Sequence, residues 1–128
     1  MREETKMLVC FYGIDDGLDW LNFPIIKPRD LQFHHIKKKE DGGTFEFKNG
    51  AILTPTAHTF LHTIERYDAE IYNAITKMFK LYVLQENSPT MEQRKIMQGL
   101  LKEFCKKHAS TKTKKGKLII KERFKNFR

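Results

Sequence analysis

The chain has 128 residues, 40% of them hydrophobic, and a formal net charge of +8. That is enough to bury one core, so a single domain over residues 1–128 is expected. No apolar run approaches the roughly 20 residues of a membrane span, and Met1-Arg2-Glu3-Glu4 does not read as a signal peptide, so a soluble cytoplasmic protein is expected.

Residues 1 to 30 read as an irregular lead-in containing Trp20, Pro24 and Pro28. Its Cys10 and the distant Cys105 form no motif and are expected to be free or buried thiols. Residues 31 to 36 are apolar and β-compatible, residues 44 to 47 alternate polar with aromatic, and residues 51 to 53 are a short apolar run. Turns at Gly42-Gly43 and Asn49-Gly50 would fold two short strands back on each other within residues 31 to 53. Thr54-Pro55 reads as an N-cap followed by proline at the first helical position, opening one long helix over residues 55 to 85. Asn87-Ser88-Pro89 breaks the chain, and a second helix is expected over residues 89 to 107, with Ile96, Leu100 and Phe104 on one face. Strands followed by helices make the fold class α+β.

The end of the chain is a polycation. Residues 106 to 128 hold ten Lys or Arg against the single acid Glu122, which leaves residues 1 to 105 at −1. Lys112, Lys114, Lys115 and Lys117 fall in a Lys/Thr/Ser linker, and Phe124 and Phe127 are interleaved with basic residues. Those rings could stack on bases, but the nearby Leu118-Ile119-Ile120 favours their anchoring the tail to the core. A basic end is often only a solvated surface, and it also suits docking on nucleic-acid backbone.

Four of the five histidines fall within 29 residues, as the adjacent pair His34-His35 followed by His58 and His62. Histidine is the commonest metal ligand and neutral-pH base, so this density marks a candidate site. His58 and His62 are one helical turn apart and point the same way. Phe60, Ile64, Tyr67, Ile71, Ile75 and Met78 form a stripe on roughly the opposite side, at ~100° per residue. The two histidines therefore lie off the apolar face. A strand pair ahead of that helix can bring His34 or His35 opposite them. Neighbours on a strand face opposite ways, so one imidazole of the pair should serve a metal and the other a substrate.

The order His34-His35, Gly42-Gly43, Asn49, His58 and His62 resembles the HNH, or His-Me finger, nuclease motif, and in form most closely the colicin-type nuclease domains. The resemblance covers residues 34 to 62 and reaches loosely back to Cys10. It implies a ββα-metal core over residues 31–85, elaborated by the helix at 89–107 and a basic tail at 108–128. It further implies that His34, His58 and His62 hold one divalent metal ion. His35 would be the general base that activates water, Asn49 would brace the loop and orient His35, and Arg29 is a candidate for contacting the scissile phosphate. Many family members carry two CxxC pairs for a structural zinc; here the corresponding positions read Cys10 and Gly13, then Thr54 and Ala57, so that zinc has no site.

The residue types suit the chemistry. Phosphodiester hydrolysis needs a nucleophilic water, relief of charge on the phosphoryl oxygens and help for the departing oxygen; a metal supplies the last two and a neutral imidazole the first. Imidazole ligands favour zinc, nickel, cobalt or manganese over magnesium. The expected function is a metal-dependent endonuclease acting on DNA, or on RNA, with Lys37, Lys38 and the tail lysines on the backbone. Lys39 continues that cluster, which reads equally as a solvated loop. The alternatives are an inactive HNH-derived module that binds nucleic acid or inhibits a protein, and a structural metal site, for which no fourth ligand is evident.

Overall fold

A computed structural model describes residues 1–108. They form an α+β fold of four α-helices and one two-stranded antiparallel sheet, and none of the helices is long and apolar enough to cross a membrane. The linker from 109 onwards, Leu118 to Ile120 and the basic tail lie outside the described residues.

The lead-in is not wholly irregular. Helix α1 spans Glu3–Tyr12, with Glu3 and Glu4 in its first turn and Gly13 closing it at φ 78°. Acidic residues favour a helix N-terminus, and glycine takes the positive φ of the end. Thr5, Leu8 and Tyr12, spaced by three and four, are its buried residues. The segment after it is held by backbone bonds, with Trp20 N–H donating to Ile52 O at 2.9 Å. Trp20 packs edge-on against Tyr12 and Tyr82, with ring centroids 4.8 and 5.4 Å apart.

Strand β1, Gln32–His35, pairs with β2, Gly50–Leu53, in the register Phe33↔Ile52 and His34↔Ala51. Residues 44 to 47 do not join a strand. The connection instead makes two 3-10 turns, Lys39–Asp41 and Phe47–Asn49. Phe45 and Phe47 pack inward from this loop without pairing, so their alternation reflects side-chain anchoring.

The long helix expected over residues 55 to 85 is two helices, α2 at Pro55–Tyr67 and α3 at Ala69–Gln85. Asp68 divides them. Its backbone turns to φ −151°, its N–H donates to Ile64 O, and its carboxylate caps α3 by accepting from Ile71 N–H at 3.1 Å. The apolar stripe runs on across the break, with Phe60, Ile64, Ile71 and Ile75 buried, while Tyr67 at the junction is 54% exposed. Helix α4, Met91–His108, buries Met97, Leu101, Phe104 and Cys105, whereas the expected face residue Ile96 is 54% exposed. Cys10 is exposed, Cys105 is buried, and both are free thiols.

Glycine is required at Gly43, where a Cβ would land on the Lys37 carbonyl oxygen. Gly43→Ala is therefore expected to lower stability by about 1–3 kcal/mol, the usual cost of overpacking. At Gly99, in α4, a Cβ meets nothing within 4 Å. Gly99→Ala is expected to raise stability by about 0.5–1 kcal/mol through helix propensity. Urea unfolding of the two variants should move the midpoint in opposite directions; a stabilised Gly43→Ala would rule out the close loop packing.

Candidate functional site

Strand β1 sorts its residues as an extended chain must. Phe33 and His35 lie together, with the His35 ring edge-on to Phe33 and Phe45 at 5.1 and 4.4 Å between centroids. His34 points the other way, toward α2 and α3, where it packs on Phe79 at 5.8 Å. Helix α2 begins where Thr54 and Pro55 place it, with Thr54 Oγ1 accepting from Ala57 N–H at 3.1 Å. That start brings His58 beside His34.

The His34–His58 contact is the centre of the site. His34 Nδ1 lies 3.3 Å from His58 Nε2. On its other side, His58 Nδ1 donates to Gln32 Oε1 at 2.7 Å. A proton on Nδ1 leaves the lone pair on Nε2, directed at His34. The separation is long for an N–H···N bond and matches the span of roughly 3.3–3.4 Å between two nitrogens bound at 2.0–2.1 Å to one tetrahedral ion. A side-chain oxygen on Nδ1, as Gln32 supplies, is the kind of partner that fixes an imidazole's tautomer. These two histidines fit a metal of the imidazole-binding class.

His62 stacks on His58 with centroids 4.9 Å apart, but its side chain is 63% exposed and its Nδ1 stands 3.7 Å from Glu65 Oε1. Among the described residues no three His, Cys, Asp or Glu side chains are disposed to hold a metal ion. His62 is beside the pair and not turned into it. Exposed side chains change rotamer within nanoseconds, so the position is open to it.

His34, His35, His58 and His62 line one concavity of about 260 Å³, together with Lys38, Lys39, Glu40, Glu65 and Tyr72. Burial pushes the His34 imidazole down to about 3, helped by the neighbouring histidines and Lys38. Burial also lowers His58, with His62 and His35 adding to it, and lowers His35, with Lys39 and Arg2 adding to it. All three are neutral at pH 7, the form that binds metal or accepts a proton. His35 Nε2 is enclosed and has no hydrogen-bond partner among the described residues.

Asn49 grips the loop and not His35. Its Oδ1 accepts from Lys37 N–H at 2.7 Å, and its Nδ2 donates to the carbonyls of Lys37 and Thr44, each at 3.0 Å. No hydrogen bond joins its side chain to His35 among the described residues; its backbone carbonyl accepts from Ile36 N–H at 2.9 Å. Lys37 is exposed, and Lys38 bonds Glu65 at the rim of the concavity. Arg29 sits exposed in the 3-10 turn Pro28–Asp30 and does not line the concavity. Lys112, Lys114, Lys115 and Lys117 lie outside the described residues.

Sequence reasoning missed Gln32, Glu65, Tyr72 and Asp19. Gln32 is two before His34 on one strand face, and Glu65 follows His62 by three on one helix face, so spacing could have found both. Tyr72 enters only because the chain turns at Asp68. Asp19, wholly buried, accepts from Leu21 and Phe23 N–H at Oδ1 and from Thr54 N–H at Oδ2, at 2.8 to 2.9 Å, and no local pattern signals it.

Comparison of the chain with protein-family models, with curated proteins and with solved structures gave no match.

Two buried groups tilt stability with pH in opposite directions. Burial raises Asp19 to about 6 from 3.8, so over that interval the native state holds a proton that the unfolded chain has lost, and stability falls as pH rises. His34 is lowered to about 3 from 6.5, so there the unfolded chain holds the extra proton, and stability rises with pH. Between about pH 4 and 6 the two offset, each by up to about 1.4 kcal/mol per pH unit. Urea unfolding of metal-free protein should show Asp19→Asn gaining stability more steeply with pH than wild type, and His34→Phe losing it. Parallel curves for all three would refute the assignment.

Proposed function

We propose that the chain is a metal-dependent endonuclease of the HNH type, hydrolysing phosphodiester bonds in DNA. The observation that carries this reading is the facing pair His34 Nδ1 and His58 Nε2, 3.3 Å apart, with Gln32 on the far nitrogen of His58. His34, His58 and His62 would hold one divalent ion, zinc, nickel, cobalt or manganese ahead of magnesium. When bound, that ion supplies Lewis-acid relief of charge on the phosphoryl and departing oxygens.

The chain's own residues do the rest. His35 is a neutral imidazole that lines the same concavity as His34 and His58 yet lies outside their contact; with Nε2 enclosed, Nδ1 is the nitrogen that would take the proton from water. Asn49 fixes the backbone at Lys37 and Thr44, so the loop carrying the lysines has one path. Lys38 and Lys39 offer cationic partners to backbone phosphate at the rim. Beyond them, the charge of residues 106 to 128 would hold the duplex without reading its sequence. Arg29 has no position in this scheme that its exposed turn supports.

The second reading is an inactive HNH-derived module that binds nucleic acid or blocks a protein. The outward His62 favours it. A plasmid-nicking assay across divalent metals separates the two. Wild type is expected to nick and to stop in excess EDTA. His35→Ala should lose ~10²- to 10⁴-fold in rate with metal affinity retained, while His58→Ala should lose metal and activity together. Nicking undiminished by EDTA would refute the metal assignment; binding without nicking under any metal would select the inactive module. Changing Lys112, Lys114, Lys115 and Lys117 to Gln should flatten the salt dependence of DNA affinity, by ~0.9 in slope for each phosphate no longer neutralised. An unchanged slope would remove the tail from the interface.

A further inference from the structure

Helix α2 carries a carboxylate at the histidine concavity that the hydrolytic scheme leaves without a role. Glu65 Oε2 bonds the Lys38 ammonium, and Glu65 Oε1 stands 3.7 Å from His62 Nδ1. The second distance exceeds hydrogen-bond range, so the carboxylate is committed to the lysine. Lys38 is held from two more sides, by Glu40 at 3.7 Å and by the Tyr72 ring at 5.9 Å. The side chains of Lys38 and Glu65 are 39% and 26% exposed, so their pairing is a rim contact that solvent and other anions reach.

We propose that Glu65 is a latch at the nuclease site: it holds Lys38 in the free protein, a backbone phosphate displaces it, and the freed carboxylate turns to His62. The inference rests on the nuclease reading and assigns a positioning residue to it. A rim ion pair is worth at most about 1 kcal/mol, so a phosphodiester that brings other contacts with it can take the lysine. Until then Glu65 screens the cation that the substrate needs and adds a negative charge where a phosphate must enter. After the exchange it faces a histidine whose second nitrogen must be fixed by an acceptor if the first is to bind metal. One carboxylate would thus oppose binding and support chemistry.

Glu65→Gln keeps the shape and removes the charge. With duplex oligonucleotide in EDTA, read by fluorescence anisotropy, it is expected to bind about two- to fivefold tighter than wild type. In a Lys38→Gln background, where no latch exists and only the carboxylate's own repulsion remains, the same change should tighten binding by a smaller factor. Zinc affinity, read by calorimetry without DNA, should be unchanged, because the carboxylate is then held by Lys38, and kcat should fall while KM improves. A merely structural role would weaken binding and turnover together. Glu65→Ser, too short to reach Lys38, must match Glu65→Gln in DNA affinity, which excludes an effect of side-chain size. Unchanged or weaker DNA binding by folded Glu65→Gln, or equal tightening in the Lys38→Gln background, overturns the latch while a wild type that nicks leaves the nuclease reading intact. A wild type that takes up neither zinc nor duplex overturns both.

Discussion

The carboxylate of Asp19 is the constraint on which the rest of the structure depends. It lies in the interior and accepts three backbone N–H bonds, two from its own turn and one from Thr54 at the head of α2. Its carbonyl accepts from Arg94 Nη1 at 2.9 Å, and the same nitrogen donates to Asn22 Oδ1 at 2.8 Å. Asn22 Nδ2 answers by donating to the Arg94 carbonyl, and Arg94 Nη2 reaches Asp16 at 2.7 Å. The lead-in, the start of α2 and helix α4 are thereby joined at one polar centre inside an apolar core. A buried carboxylate is tolerated only when it is hydrogen-bonded, and this one accepts at both oxygens. The geometry of the histidines follows: Thr54 sets where α2 begins, and α2 sets where His58 meets His34.

The site was more legible in the sequence than the fold around it. His58 and His62 needed only a helix start, and Thr54-Pro55 states one in local chemistry: a hydroxyl that accepts and a ring without N–H. His34 and His35 needed only the alternation of a strand. Glycine at 43 and asparagine at 49 marked the loop between. What could not be read was set by longer contacts. Asp68 ends one helix and begins the next without glycine or proline, and its capping is reinforced by His108 at 3.1 Å, forty residues away. The apolar stripe crosses that point unbroken, so periodicity alone gives one helix. The same limit hid Asp19 and Arg94, whose partners lie 35 to 75 residues distant.

Helix α1 was missed for a different reason. Its signals are local, two acids at the start and Gly13 at the end, but its apolar residues run consecutively from Met7 to Tyr12 and its outer face keeps Met7 and Phe11 57% and 51% exposed. A helix with apolar residues on both faces gives a weak period, and the prolines further on suggested irregularity throughout.

The charge of the concavity bears on how a metal and a phosphate would share it. Neutral imidazoles bring no negative charge to a divalent ion, and Lys38 and Lys39 add positive charge at the rim, against Glu40 and Glu65. On the nuclease reading, an ion held there by nitrogen donors alone remains under-compensated in a partly buried setting. A phosphodiester is the group that corrects this, since it meets ion and lysine together. Binding of metal and of substrate would then be linked, each strengthening the other by the same factor. On that reading, an all-histidine ligand set beside Lys39 and a Lys38 that is itself paired with glutamates would be a poor store for a metal and a suitable place for one that works on an anion.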